Sequence, residues 1–249
     1  MWRYLLADLH LHTVLSPCAE VEMIPPLIVR RAQELGLEVI AVTDHNAALN
    51  VAAMIGAAAG TGLTVLPGME VQSREEVHLI TLFDTVDQVL AWQERVWAAL
   101  PDRENDEAFF GAQFVVDATG EYCYTEKRML SISAAFSVEE VVSGVRALGG
   151  IVLPAHVDRP ANSLIANLGF VPPGLGIAGL ELSRRANPAE VGQRLPQMAG
   201  YGQVVSGDAH RLEEMTARTM LKVAAPTVAE VALALAGQDG RRIEILNAK

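Results

Sequence analysis

Apolar residues in this chain come in short runs that recur along its whole length. Leu5-Leu6-Ala7, Val39-Ile40-Ala41-Val42, Leu63-Thr64-Val65-Leu66, residues 77–83, Ile151-Val152-Leu153, Gly179-Leu180-Glu181-Leu182 and Gln203-Val204-Val205-Ser206 are each of strand length. Runs of this kind, bounded by turn residues, predict strands buried on both faces. Between several of them the apolar spacing is that of a helix. Pro25-Pro26 opens one that Gly36 closes, an alanine-rich segment over 47–59 is a second, and residues 84–100, with Trp92 and Trp97, are a third. Ser137-Val138-Glu139-Glu140 is a capping box that starts a fourth, stopped by Gly149-Gly150. A strand near 220–223, a helix after Thr227 and a short Ile243-Glu244-Ile245 strand finish the pattern. Strands alternating with helices predict an α/β fold with a mainly parallel sheet, and seven or so such units favour a closed barrel over an open sheet. The rhythm stops over residues 101–133, where 113–117 and 122–129 flank an Ala-Thr-Gly turn. That stretch is expected to be a hairpin-containing insertion, in the manner of a lid, into a single domain covering 1–249.

Composition narrows the functional classes. With 249 residues, 51% of them hydrophobic, the chain has ample material for one core. A formal charge of −11 argues against a broad basic surface for extended nucleic acid but leaves a small phosphorylated substrate open. Two cysteines, Cys18 and Cys123, make no disulfide framework and fit a cytoplasmic protein. The apolar run between Arg3 and Asp8 is too short for a signal peptide, and the most apolar stretch, 51–69, is broken by Gly56, Gly60, Gly62 and Pro67, so no membrane span is expected.

The six histidines change the picture by where they stand. His10, His12, His45, His156 and His210 lie at or just past the end of an apolar run, and His78 begins one. Strand alternation predicts that Asp8, His10 and His12 share a face, opposite Leu9 and Leu11. In a barrel the strand ends share one rim, so side chains far apart in sequence can meet there. Glu70 and Asp208 occupy the same kind of position. Imidazoles and carboxylates, with at most one thiolate, form a ligand set for zinc, iron or manganese and a poor one for calcium.

Asp8-Leu-His10-Leu-His12-Thr, Thr43-Asp44-His45-Asn46, Gly68-Met-Glu70, the isolated His78, Ala155-His156 and Gly207-Asp208-Ala-His210 together resemble, in order and spacing, the PHP (polymerase and histidinol phosphatase) family of metal-dependent phosphoesterases. The resemblance spans most of the chain outside 101–133. It implies a distorted (β/α)7 TIM-like barrel with two or three divalent metal ions at the C-terminal ends of the strands. It also implies that His10, His12, Glu70 and Asp208 hold one ion, that Glu70 bridges to a second held by His78 and His156, and that His45 and His210 hold a third. Many trinuclear members have a histidine where this chain has Cys18, so a thiolate is the ligand expected there.

Such a cluster suits hydrolysis of a small phosphomonoester or phosphodiester by hydroxide generated at the cations. Asp8 and Asp44 are expected to fix imidazole tautomers from behind the ligands. Arg159, Arg184 and Arg185 are the expected contacts to substrate phosphate, because a guanidinium fork matches its geometry. Two other readings remain. Amidohydrolases also begin with His-x-His on a first barrel strand, although many bridge their metals with a carboxylated lysine, and none of Lys127, Lys222 and Lys249 stands at a suitable strand end. A non-catalytic accessory module is the other.

Overall fold

In the computed structural model, which describes residues 1–247, the chain runs β1 (Arg3–Leu11), α1 (Pro25–Leu35), β2 (Val39–Val42), α2 (Val51–Ala58), β3 (Thr64–Gln72), β4 (His78–Leu82), α3 (Val86–Ala99), α4 (Glu107–Phe110), β5 (Phe114–Val116), β6 (Tyr122–Thr125), α5 (Val138–Ala147), β7 (Ile151–Pro154), α6 (Leu164–Leu168), β8 (Leu180–Leu182), α7 (Pro188–Arg194), β9 (Gln203–Val205), β10 (Thr219–Val223), α8 (Val228–Leu235) and β11 (Arg242–Ile245). Seven strands make one curled sheet in the order β11-β10-β1-β2-β3-β4-β7. The parallel pair β8–β9 spans the gap between its ends. On one side Ala178 N donates to Val152 O and Val157 N to Glu181 O; on the other, Leu11 bridges Ala209. A distorted barrel of β1, β2, β3, β4, β7, β8 and β9 results, with β10 attached along the first half of β1 and β11 along β10.

The sheet is mixed, which corrects the expectation of a mainly parallel one. Only β1–β2, β2–β3 and β8–β9 are parallel, whereas β3–β4, β4–β7, β1–β10 and β10–β11 are antiparallel. The cause is plainest at β3–β4. Residues 73–77 join them, far fewer than the dozen or so that a parallel crossover needs.

Alternation sorts the barrel into two packed layers. Leu5, Ala7, Ala41, Leu66, Ile80, Leu82 and Leu153 fill the interior, closed from one end by Val231 and Leu235 of α8. Ile40, Val42, Met69 and Leu79 face outward against Ile28, Met54, Trp92 and Val141 on α1, α2, α3 and α5. Each large apolar side chain so buried contributes about 1.5–3 kcal/mol.

One irregularity decides where the first histidines point. The register of β1 against β2 shifts between Asp8 and Leu11. Leu9 still packs with Leu5 and Ala7 inside, but Leu11 joins the outer layer. A bulge re-aims the residues around it, and His10 and His12 both turn to the barrel mouth with ring centroids 5.1 Å apart. Asp8 does not follow them, contrary to the strict alternation expected.

The insertion contains the expected antiparallel hairpin, β5–β6. Its flank is fastened to the loop beyond β2: Asn46 Nδ2 donates to Leu130 O (2.7 Å) and Ile132 O (2.8 Å). Asn50 likewise donates to Phe114 O and accepts from Val116 N. Phe109 and Phe110 meet edge to face at 4.7 Å with Phe109 79% exposed, so the pair is not core. Among the described residues no helix is long and apolar enough to cross a membrane.

Candidate metal centre

The ends of β1, β2, β3, β7 and β9 and the start of β4 bring all six histidines around Glu70. His45 Nδ1 lies 2.8 Å and His78 Nδ1 2.9 Å from its carboxylate, followed by His10 Nε2 at 3.4 Å and His12 and His156 Nε2 at 3.5 Å. His210 stacks on His12 at 4.1 Å. Three groups have donor atoms all within 4.8 Å of one another: His10, His12, Glu70 and Asp208; His45, Glu70 and His78; and His12, His45 and His210.

Whether these residues suit a cation can be judged from their own hydrogen bonds. His10 Nδ1 faces both oxygens of buried Glu181 at 3.1 Å. His210 Nδ1 donates to Asp208 O at 2.9 Å. His12 Nδ1 meets Ser16 Oγ at 2.9 Å, and Ser16 spends its only proton on Asp44 Oδ1 at 2.7 Å, so the serine accepts from His12. Each ring thereby has a proton on Nδ1 and offers Nε2 as the atom that can ligate. The His10 and His12 Nε2 atoms nevertheless stand 3.1 Å apart, and each lies 3.2 Å from Asp208 Oδ1. Ligands at about 2.1 Å from a tetrahedral zinc lie roughly 3.4 Å from one another, so the spacing is that of a coordination shell. His156 Nδ1 is buried without a hydrogen-bond partner among the described residues. The donor set fits a cation.

Electrostatics agree. Burial pushes Glu70 up, but His78, His10 and His45 hold it well below the usual carboxylate range. Asp208 is likewise held well below it by His10 and His12 against burial. Burial disfavours a proton on His10, yet Glu181, Asp208 and Glu70 raise it well above an ordinary imidazole. Burial, His210 and His45 keep His12 neutral. Positive charge belongs at this centre, and the protein concentrates three buried carboxylates, Glu70, Glu181 and Asp208, to receive it.

Residues 8–114 match the family model described as PHP domain. Over those residues the chain is similar to PHP domains. Solved structures show the same fold at low identity. The lesion-specific endonuclease EndoQ from Pyrococcus furiosus is 20% identical with a TM-score of 0.67, covering 97% of this chain but 58% of its own, so the chain spans little more than half of that enzyme. A protein from Bifidobacterium adolescentis described as a metal-dependent phosphoesterase is 21% identical at TM-score 0.56, with 82% and 87% of the two chains covered. An amidohydrolase from Chromobacterium violaceum is 21% identical at TM-score 0.58, over 85% and 89%. No curated protein matches the chain. Endonuclease Q has been seen with a 27-mer DNA duplex, so the expectation that extended nucleic acid is excluded gains no backing from these neighbours.

At the barrel mouth the expected ligands converge, with altered grouping. His45, rather than His156, is drawn tightly to Glu70 and His78, and His12 joins His45 and His210. Burial pushes the Cys18 thiol up, but hydrogen bonds with His210 and His45 bring it down to about 6; it stands beside the third group without belonging to it. Arg159 lines the cavity over the cluster, about 270 Å³ in volume, and its Nη1 pairs with Asp208 Oδ2 at 2.6 Å. Arg184 and Arg185 do not reach that cavity. They line a separate one with Leu6 and Arg218, and Arg184 pairs with Glu214 at 3.0 Å. The segment after β8 is held by Arg218, whose Nη1 donates to Arg184 O and Ala186 O at 2.8 Å, which is why adjacency to the strand misleads. Lys222 Nζ lies over the Trp2 ring at 4.9 Å, Lys127 lines a cavity by Trp97, and Lys249 lies outside the described residues.

Asp8 touches no imidazole. It accepts from Gly207 N and Thr216 N, both at 2.8 Å, and so ties the segment after β9 to β1. The residue behind His10 is Glu181, which also accepts from His156 N at 2.8 Å. Sequence reading passed over it, although a lone acid inside a buried Leu-Glu-Leu strand is a visible signal. Ser16 was missed as well.

Proposed function

We propose that this protein is a metal-dependent phosphoesterase that hydrolyses a small phosphomonoester or phosphodiester. The observation that carries the reading is the convergence of His10, His12, Glu70 and Asp208 at coordination spacing beneath an open cavity with an arginine on its wall. Two or three divalent cations of the zinc, iron or manganese type, held by these residues with His45, His78, His156, His210 and Cys18, supply Lewis acidity toward a phosphoryl oxygen and acidify water.

The chain's own residues do the rest. Glu181 and the Asp44–Ser16 pair hold His10 and His12 in the Nδ1–H tautomer, so that both Nε2 atoms stay aimed at one point. Arg159 remains a cation, for Asp208 and Glu181 raise it further against the effect of burial. One edge of its guanidinium fixes Asp208, and its donors not spent there face the cavity, where they bind the non-bridging oxygens of a phosphoryl group. The serine and cysteine of the site are not needed as nucleophiles. Pro160 and Ala161 line the same cavity and limit the room beside the phosphoryl group.

The test is elemental analysis of the purified protein, then a phosphoester panel with added Mn²⁺, Fe²⁺ or Zn²⁺. Metal-stimulated hydrolysis is expected, seen as inorganic phosphate from a monoester or as a new monoester from a diester. A silent phosphoester panel beside a reacting lactone panel would favour amide or lactone hydrolysis, and a metal-free protein inert with every added cation would favour an accessory module. Arg159→Ala should raise KM or lower kcat by tenfold or more, the worth of a charge-assisted contact of about 1.5–3 kcal/mol; unchanged kinetics would remove Arg159 from the site.

A further inference from the structure

Two asparagines near the centre hold the same unusual backbone. Asn46 has φ +47° and Asn162 φ +54°, in the left-handed region that asparagine tolerates better than most residues. Asn46 needs its side chain for the fold, since Nδ2 serves Leu130 O and Ile132 O and Oδ1 accepts from Gln72 N at 3.3 Å. Asn162 differs. Its backbone carbonyl accepts from His78 N at 3.0 Å and so sets the height of that histidine. Its side chain is exposed, has no hydrogen-bond partner among the described residues, and lines the cavity three positions after Arg159. Strained, over-determined backbone at a cavity wall is a common way to aim a side chain.

We infer that Asn162 reads the alcohol portion of the substrate, selecting phosphoesters that carry a hydroxyl beside the phosphate over those with a bare alkyl chain. The inference rests on the phosphoesterase reading and deepens it by naming a substrate feature. A carboxamide offers one acceptor and two donors, which matches a hydroxyl's own donor and acceptor and is wasted on an alkyl group. Arg159 and Asn162, on either side of Pro160 and Ala161 in sequence, line one cavity, so a phosphate held by the arginine and the alcohol it esterifies share that space with the amide. The cavity of about 270 Å³ suits a small polyol or sugar phosphate.

Glycine tests this cleanly, because it adopts positive φ at no steric cost and keeps the carbonyl to His78 while deleting the amide. Glycerol 1-phosphate and propyl phosphate serve as probes, alike in phosphate and chain length and different in their hydroxyls. Both kcat/KM and the dissociation constant by calorimetry are measured for wild type and Asn162→Gly, with metal content and Tm as controls of integrity. Wild type is expected to favour glycerol 1-phosphate in both readouts, and Asn162→Gly to lose that preference by about tenfold, as for one neutral hydrogen bond. Asn162→Asp separates charge from shape, and its repulsion of phosphate should weaken both probes together. A wild type indifferent to the hydroxyls, or an Asn162→Gly that keeps the preference, overturns the inference and leaves Asn162 as a backbone device. If no phosphoester of the full panel is hydrolysed but the binding preference exists and vanishes in Asn162→Gly, the phosphoesterase reading fails and the recognition stands.

Discussion

Glu181 and Ser16 govern imidazoles that they do not replace, and this can be measured without turnover. Glu181→Gln keeps an oxygen for His10 Nδ1–H but loses the charge and one of the two acceptors that now serve His10 and His156 N. It should weaken metal binding 10–100-fold in a chelator competition; unchanged affinity would make Glu181 a mere filler of β8. The same protons give a signed pH dependence. In the metal-free protein His10, His45 and His210 are all raised as the balance of opposing effects, with burial working against the proton and, respectively, Glu181, Glu70 and Cys18 foremost in holding it. A cation must displace those protons, so affinity should rise with pH and loading should release acid, seen as buffer-dependent heats in calorimetry. Asp8 acts in another way. Burial raises it from 3.8 to about 7 despite bonds from Thr216 N and Gly207 N. The folded state then binds more protons than the unfolded one between those values, and this group's contribution to stability declines as pH climbs through the window. Asp8→Asn should flatten that slope in denaturant unfolding of the metal-free protein, and identical slopes would clear Asp8 of it.

At the scale of strands and loops, what could be read from sequence was the location of strand ends, because short two-sided apolar runs stop where the polar ligands start. Strand direction was not read, though the brevity of 73–77 held the answer for β3–β4. The bulge in β1 could not be read, since it arises where the strand exchanges β10 for Ala209 as a neighbour. Arg184 and Arg185 were misplaced for a related reason, as position in sequence past a strand does not give the direction of the loop. Element packing also makes a prediction at Gly68. A Cβ there would lie 2.9 Å from Leu82 Cδ2, Thr43 Cγ2 and Val42 O, and the last is backbone that cannot give way. Gly68→Ala should cost about 1–3 kcal/mol of stability and, by pushing β3 aside two residues before Glu70, weaken metal binding too. Gly192→Ala in α7 meets nothing within 4 Å and should stabilise by up to about 1 kcal/mol. Thermal unfolding of the two variants side by side distinguishes packing at β3 from a general cost of adding a methyl group.

For the molecule as a whole, the barrel is the device that lets residues two hundred positions apart share one cavity, and its closure depends on slight contacts. The Leu11–Ala209 bridge, the bonds of Asp8 to Gly207 N and Thr216 N and the short β8–β9 pair complete the circle on that side. Ligands from β1, β3 and the segment after β9 would be joined across that closure by any bound ion, so metal should act as a staple on the fold. At a hundredfold excess over the dissociation constant, binding to the native state alone adds about 2.7 kcal/mol. Tm should climb on loading and fall back with chelator, and a Tm indifferent to both would show that the mouth holds no ion.

Glu70 stands within 3.5 Å of five different imidazoles, on strands from both halves of the barrel. A carboxylate shared so widely is a common vertex, and pockets that meet at a vertex do not fill independently. The first occupant dictates which oxygen remains for the next. A titration of this protein would then trace a curved, ordered isotherm in place of a sum of equal steps, and exchanging that one acid for its amide would empty the whole assembly at once.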